Sequence, residues 1–290
     1  MDSRSLTLFL NLSETLHFGR TSEELHISPS ALSRSIKQLE ENLGVTLFER
    51  DNRRVALTSE GKLLQTYARD TLQQWEAFRD SLMQESQDLK GEISIYCSVT
   101  ASYSFLYDIL SDFRQRHPRI ELKLHTGDQA LAISRVLNGQ EDIAIAARTD
   151  KLPDNLAFRR VAVSPLVFIA SKEVSGNLSA STPVTEEMWA NTPMILSEEG
   201  LARERVDGWF KRMKIIPRIY AQVAGHEALV SMVSLGFGIG IVPQIVVENS
   251  PLADRVEILP QFHDLGQYDV GLCTLKKRLK SPIIKAFWGG

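Results

Sequence analysis

Leu32, Ile36, Leu39 and Leu43 recur at intervals of 4, 3 and 4 residues, the spacing that aligns side chains along one face of an α-helix. Ser28 ahead of them is a good N-cap. Pro29 sits at the first helical position, where its missing N–H costs nothing, and Gly44 is placed to end the helix. Upstream, Leu6, Phe9 and Leu10 mark the apolar face of a first helix. Gly19 and Arg20 are expected to break it, a second short helix runs through Leu25, and His26 and Ile27 form a turn. Downstream, the apolar runs Thr46–Phe48 and Val55–Leu57 flank a polar turn longer than two residues, the pattern of a β-hairpin. Thr58 then caps a fourth helix, with Glu60 in its first turn. Leu64, Ala68, Thr71, Trp75, Phe78 and Leu82 recur at 4, 3, 4, 3 and 4, which predicts a helix from about Ser59 to Gln87. This spacing fits either a seam between two chains or packing on the helix's own domain, and a helix projecting beyond so small a domain favours the seam.

Beyond Gly91 the pattern changes to alternating strands and helices. Predicted strands are Glu92–Cys97, Glu121–His125, Asp142–Ala146, Ala157–Val163, Leu166–Ser171, Met194–Leu196, Arg218–Val223, Gly238–Val242, Val256–Leu259 and Tyr268–Leu275. Predicted helices are Tyr103–Gln115, Gln129–Asn138, Thr185–Trp189, Leu201–Arg212, His226–Leu235, Pro243–Glu248 and Pro282–Phe287. The alternation predicts an α/β architecture with an open, mostly parallel sheet in two lobes. The expected divisions are a helix-turn-helix with a β-hairpin wing over 1–58, a linking helix over 59–90, a first lobe from 91–162 and 268–290, and a second lobe over 163–267.

The chain has 290 residues, 43% hydrophobic and 24% charged, with a net charge of −3. These values describe an ordinary globular protein and exclude a polycation. Residues 1–62 carry eight Lys/Arg against nine Asp/Glu, so any affinity for nucleic acid must come from where the cations sit. Cys97 and Cys273 lie in apolar runs and are expected as buried thiols, with no Cys/His spacing that fits zinc. The N-terminal run LTLFLNL lacks a basic leader and a small-residue cleavage site, and VAVSPLVFIA is too short to cross a bilayer. A cytoplasmic protein without membrane contact is expected.

The third helix carries the most specific chemistry. Opposite its apolar stripe lie Ser30, Arg34 and Lys37, with Ser33 on the flank. Small residues at its start allow close entry to a major groove, and Arg34 has the reach for guanine or phosphate. The exposed start at Ser28 and Pro29 can hold a phosphate on free backbone N–H groups. Arg50, Arg53 and Arg54 make a basic hairpin tip suited to the DNA backbone or minor groove.

The stretch LSETLHFGRTSEELHISPSALSRSIKQLEENLGVTLFERDNRRVALTSEG resembles the DNA-binding signature of the LysR-type transcriptional regulators. GEISIYCSVTASYSFL, FRQRHPRIELKLHTGD and GHEALVSMVSLGFGIGIVP continue the resemblance across the chain. Many members carry Gln-Pro where this chain has Pro29-Ser30, a departure that touches the first base contacts and not the motif. The resemblance implies a winged helix-turn-helix, a long dimerisation helix and a two-lobed effector domain similar to periplasmic binding proteins. It implies a dimer or tetramer on a double-stranded DNA operator, recruitment of RNA polymerase, and a small-molecule inducer in place of a cofactor. The runs CSVTASYS, VVENSP and KKRLKSPIIKAFW are similar to one branch of the family, activators serving branched-chain amino-acid biosynthesis. That narrower resemblance implies a 2-aceto-2-hydroxy acid, acetolactate or acetohydroxybutyrate, as inducer.

In open α/β sheets ligands lie beyond the carboxyl ends of strands. The loops there carry Ser98, Thr100 and Ser102, then Thr126, Arg148, Ser197 and His226. The hydroxyls after the first strand suit a carboxylate or simply cap a helix; the resemblance implies the former. Arg148 suits an anion or is a solvated loop residue, and His226 suits a ligand oxygen or a structural bond. An enzyme is disfavoured. Ser98, His226 and Asp128 lack a nucleophile elbow, and the GFGIG run follows a helix and precedes a strand, the reverse of a phosphate loop. A solute-binding protein without DNA function fits residues 91–290 alone.

Overall fold

The computed structural model describes residues 2–51, 54–82, 89–175, 191–259 and 265–289. The chain divides into two compact units, Met1–Ser86 and Gln87–Gly290. Among the described residues no helix is long and apolar enough to cross a membrane.

The first unit contains α1 (Ser3–Thr15), α2 (Phe18–Glu24), α3 (Pro29–Leu43), the hairpin β1 (Phe48–Asp51) and β2 (Arg54–Leu57), and α4 (Ser59–Leu82). The predicted break at Gly19 and Arg20 is displaced: both lie inside α2. Helix α1 ends earlier because Leu16 turns left-handed, at φ 49°. His17 then caps α2, its Nδ1 accepting from Arg20 N at 3.1 Å. The ends of α3 are as predicted, with Ser28 accepting from Ala31 N and Gly44 at φ 70°. Thr46 and Leu47 precede the first strand, which begins at Phe48 and runs on to Asp51, and the second strand begins one residue earlier than the apolar pattern indicates. Asp51 pairs with Arg54 in register, so Arg50 and Arg54 belong to strands and not to a long turn. All of Arg53 and the side chains of Arg50 and Arg54 lie outside the described residues. Thr58 caps α4, its hydroxyl oxygen accepting from Gly61 N at 2.9 Å.

Leu6, Phe9, Leu12, Leu32, Ile36, Leu39, Leu47 and Phe48 form the core of this unit, closed by Leu64 and Ala68 of α4. Phe48 is its aromatic centre, with the ring centroids of Phe9 at 5.5 Å and Phe18 at 6.4 Å. Leu43, predicted as part of the stripe, is 40% exposed, because α3 is ending there. The predicted α4 seam also divides. Leu64 and Ala68 serve the unit's own core, whereas Trp75 and Phe78 remain more than half exposed. Residues 83–87, the predicted end of that helix, lie outside the described residues, as does the predicted helix Thr185–Trp189.

The second unit carries β3 (Gly91–Cys97), β4 (Ile120–Thr126), β5 (Ile143–Ala147), β6 (Leu156–Ser171), β7 (Pro193–Ser197), β8 (Arg218–Val223), β9 (Ile239–Pro243), β10 (Val256–Ile258) and β11 (Gln267–Leu275). Strand order is β4-β3-β5-β11-β6-β9-β7-β8, with β10 also on β6. The pairs β3/β4, β3/β5, β7/β8 and β7/β9 are parallel; β11 with β5 and β6, and β6 with β9 and β10, are antiparallel. The sheet is therefore not mostly parallel, because the long strand β6, with β11 antiparallel beside it, links two smaller parallel sheets. The two strands predicted on either side of Pro165 are one strand. Pro165 stands opposite Gln267, where β6 leaves β11, and Leu166 begins the pairing with β9. A residue with no N–H is tolerated at such a change of partner.

The predicted helix Tyr103–Gln115 begins earlier and is interrupted: α5 (Val99–Ser104) and α6 (Leu106–Arg116) meet at Phe105. The GFGIG glycines are packing residues. A Cβ on Gly238 would meet Pro193 O at 2.3 Å, and one on Gly240 would meet the Leu229 side chain at 2.3 Å. Cys97 and Cys273 are buried free thiols, and burial pushes them up to about 11 and about 12.

Phe48→Ala should destabilise the first unit by about 3–5 kcal/mol, the usual cost of emptying a buried aromatic site. Phe48→Leu should cost clearly less. Urea unfolding of the whole chain, followed through the transition of Met1–Ser86, measures both.

Candidate functional site

The first candidate surface is the outer face of α3. With Leu32, Ile36 and Leu39 turned into the core, Ser28, Pro29, Ser30, Arg34 and Lys37 are exposed and Ser33 is half-buried. Ser28 Oγ caps Ala31 N at 3.2 Å and lies 3.1 Å from Ser30 Oγ. Pro29 has no N–H and that of Ala31 is taken, so the start of α3 offers fewer free amides than the sequence suggested. Arg34 Nε rests 3.3 Å from Ser30 O, and Lys37 Nζ is 3.7 Å from Glu41. Both contacts are solvent-exposed and weak enough to be exchanged for a phosphate or a base edge. Glu40, on the other side of the helix, ties the wing to α3: its Oε1 accepts from Leu47 N at 2.8 Å and Phe48 N at 3.2 Å.

A second surface lies on α4. Leu63 is 74% exposed, Tyr67 53% and Trp75 54%; with Phe78 they fall within about 120° of the helix circumference. Sequence reading missed Leu63 and Tyr67 because Leu64 and Ala68 beside them satisfied the same heptad spacing.

The third site is the crevice between the two lobes of Gln87–Gly290. Thr100, Ser98, Gln129 and Tyr268 line a cavity of about 30 Å³ with the apolar Ile145, Ala147, Pro243 and Ile245, room for a single water. It adjoins a wider cleft of about 670 Å³ that shares Gln129 and Tyr268 and is bordered by Lys151, Glu199 and Glu204.

Thr100 is buried, and both its donors cross the crevice. Its N–H and hydroxyl donate to Glu227 Oε1 at 2.7 and 2.6 Å. Burial pulls the Glu227 carboxyl up, but the two Thr100 bonds, its own backbone N–H and the neighbouring His226 together hold the group below the usual carboxylate range. His226 is buried one residue earlier, with Nε2 2.7 Å from Gln129 Nε2. Burial pushes its pKa down to about 4, so the ring is neutral and accepts the amide hydrogen. Of the remaining candidates, Ser98 lines the cavity but its Oγ caps Ala101 N, and the Ser102 hydroxyl donates to Val99 O. Ser197 is buried, its hydroxyl without a hydrogen-bond partner among the described residues. Thr126 is exposed at the end of edge strand β4. Arg148 lines a polar cleft of about 310 Å³ with Arg205, Asp150 and Asp269, which shares Thr149 and Asp150 with the wider cleft.

The structure thus gathers Ser98, Thr100 and His226 at one crevice, puts Arg148 in an adjoining cleft and leaves Thr126 apart. It adds Glu227, Gln129 and Tyr268. Glu227 is adjacent to a residue singled out from sequence, but nothing in its spacing marks a partner 127 positions away.

Residues 3–62 match the family described as bacterial regulatory helix-turn-helix protein, lysR family, and residues 86–289 match the LysR substrate binding domain. The chain is 45% identical over 294 residues to the transcriptional activator IlvY of Salmonella typhimurium, covering 99% of this chain and 98% of that one. It is 40% identical over 291 residues to IlvY of Haemophilus influenzae, covering 99% of each. Among solved structures it resembles a full-length OxyR variant from Pseudomonas aeruginosa, with TM-score 0.73, 20% identity, and coverage of 99% of this chain and 93% of that one. It also resembles the LysR-family regulator CbnR in complex with its target DNA, with TM-score 0.66, 22% identity, and coverage of 100% and 98%. The winged helix-turn-helix and the two-lobed crevice are those of a regulator and not an enzyme, and the chain belongs to the LysR family.

Proposed function

We propose that this chain is an activator of the IlvY kind, which binds an operator through the outer face of α3 and responds to a small organic acid in the inter-lobe crevice. The observation that carries the DNA reading is the division of α3 into a buried Leu32/Ile36/Leu39 face and an exposed Ser28/Ser30/Arg34/Lys37 face. Small hydroxyls at the entry end admit the helix to a major groove, and Arg34 can hold guanine O6 and N7 together. The wing, with Arg50, Arg53 and Arg54, lies along the backbone or minor groove.

The inducer we assign is a 2-aceto-2-hydroxy acid, acetolactate or acetohydroxybutyrate. The likeness to the IlvY activators supports it, as does a crevice that pairs hydroxyl and amide donors with apolar walls. Of the candidates, Thr100, Ser98 and His226 fit this role best; Ser102, Ser197, Thr126 and Arg148 fit it less well. The 30 Å³ cavity does not admit a five-carbon acid, so binding requires the lobes to part or the acid to enter from the wider cleft. The exposed stripe of α4 is the surface on which two copies pair, and two such dimers make the tetramer. Inducer then changes the spacing of the paired recognition helices and the bend of the DNA, and with it the recruitment of RNA polymerase in the cytoplasm.

Arg34→Ala should cost about 1–3 kcal/mol on the operator and much less on random DNA if the residue reads a base. Equal losses in a gel shift on both DNAs would confine Arg34 to phosphate. Thr100→Val should abolish the transcriptional response to acetolactate and keep operator affinity; a normal response in a reporter assay would remove Thr100 from the site. Leu63→Glu combined with Trp75→Glu should halve the mass of the tetramer by light scattering, whereas an unchanged mass would place the pairing surface elsewhere.

A further inference from the structure

The inter-lobe crevice is held shut by a carboxylate of the chain's own. Thr100 belongs to the segment after β3, in one lobe; Glu227 belongs to the helix His226–Ser234 after β8, in the other. Glu227 Oε1 takes both Thr100 donors at once, at 2.6 and 2.7 Å. Bonds of this length to an ionised acceptor are the strong class, and Thr100 is only 3% exposed. Gly225, at φ 81°, precedes the helix His226–Ser234 as its N-cap. The same crevice is closed a second time by the bond between Gln129 and His226. Thr100 lines the small cavity, yet neither of its donors is available to anything that enters.

We propose that Glu227 is an internal competitor for the ligand's carboxylate, a latch that occupies the Thr100 donors and keeps the lobes closed until an external carboxylate displaces it. A ligand without a carboxylate can fill the apolar part of the crevice but cannot release the latch. As a device for induction this rests on the inducer reading above; as a clasp between lobes it does not.

Hydrogen exchange at the Thr100 amide of the full-length chain tests it. In Glu227→Ala the Thr100 amide should exchange at least about tenfold faster than in the unmodified chain, the loss expected for a charged hydrogen bond. Glu227→Gln, which keeps the shape and one acceptor, should fall between the two. Acetate at millimolar concentration should restore protection in Glu227→Ala, and acetamide at the same concentration should not. Amides of α3 serve as the reference and should be unchanged. Equal Thr100 exchange in all three proteins overturns the latch. Accelerated exchange that acetate does not restore overturns the competition and reduces Glu227 to a packing residue. If acetate restores protection while acetolactate elicits no transcriptional response, the latch stands and the inducer assignment falls.

Discussion

The burial of Leu32, Ile36 and Leu39 against Phe9 and Phe48 is the constraint on which the DNA-binding unit depends. Once those three side chains are committed inward, the period of the helix leaves Ser30, Arg34 and Lys37 with nowhere to go but outward. The hairpin serves the same end. Phe48 drives its first strand into the core, and Glu40 holds the backbone of Leu47 and Phe48 to α3. Recognition helix and wing are therefore fixed to each other by one hydrophobic centre and one buried-side carboxylate. A face held this way can be inserted into DNA without first losing conformational freedom.

The second unit solves a different problem: two rigid sheets must be joined and still be able to move. Strand β6 does the joining by running unbroken from one sheet to the other, leaving β11 at Pro165 and taking up β9 at Leu166. Covalent continuity fixes the pivot. Polar contacts across the crevice include Thr100 with Glu227, Gln129 with His226 and Arg205 with Asp150. On the proposed reading, a ligand that matches one of them acts directly on the equilibrium between lobe positions.

Much of this was legible in the residue order where a single local rule decided the outcome. Ser28, Pro29 and Gly44 marked the ends of α3, and Thr58 and Glu60 the start of α4, because capping depends on near neighbours. The break between α1 and α2 was misread because Gly19 looks like a helix terminator, while the actual stop is a left-handed Leu16 with no sequence signature. Pro165 looked like a strand end because its tolerance depends on which strand lies alongside. On α4, Leu64 and Ala68 met the heptad rule while packing on their own unit, and of the exposed stripe only Trp75 and Phe78 were seen, not Leu63 and Tyr67. Glu227 was out of reach altogether: its significance is a contact 127 residues away, which no period encodes.

The account stands most directly on whether the outer face of α3 occupies a major groove twice, one helical turn apart. Methylation of guanine N7 by dimethyl sulfate reads that groove without reference to the protein's own side chains. On DNA upstream of the target gene, the full-length chain should protect guanines in two clusters about 10 base pairs apart, with protection lost as α3 is released by salt. Binding that retards the same DNA yet leaves every guanine N7 open would contradict it.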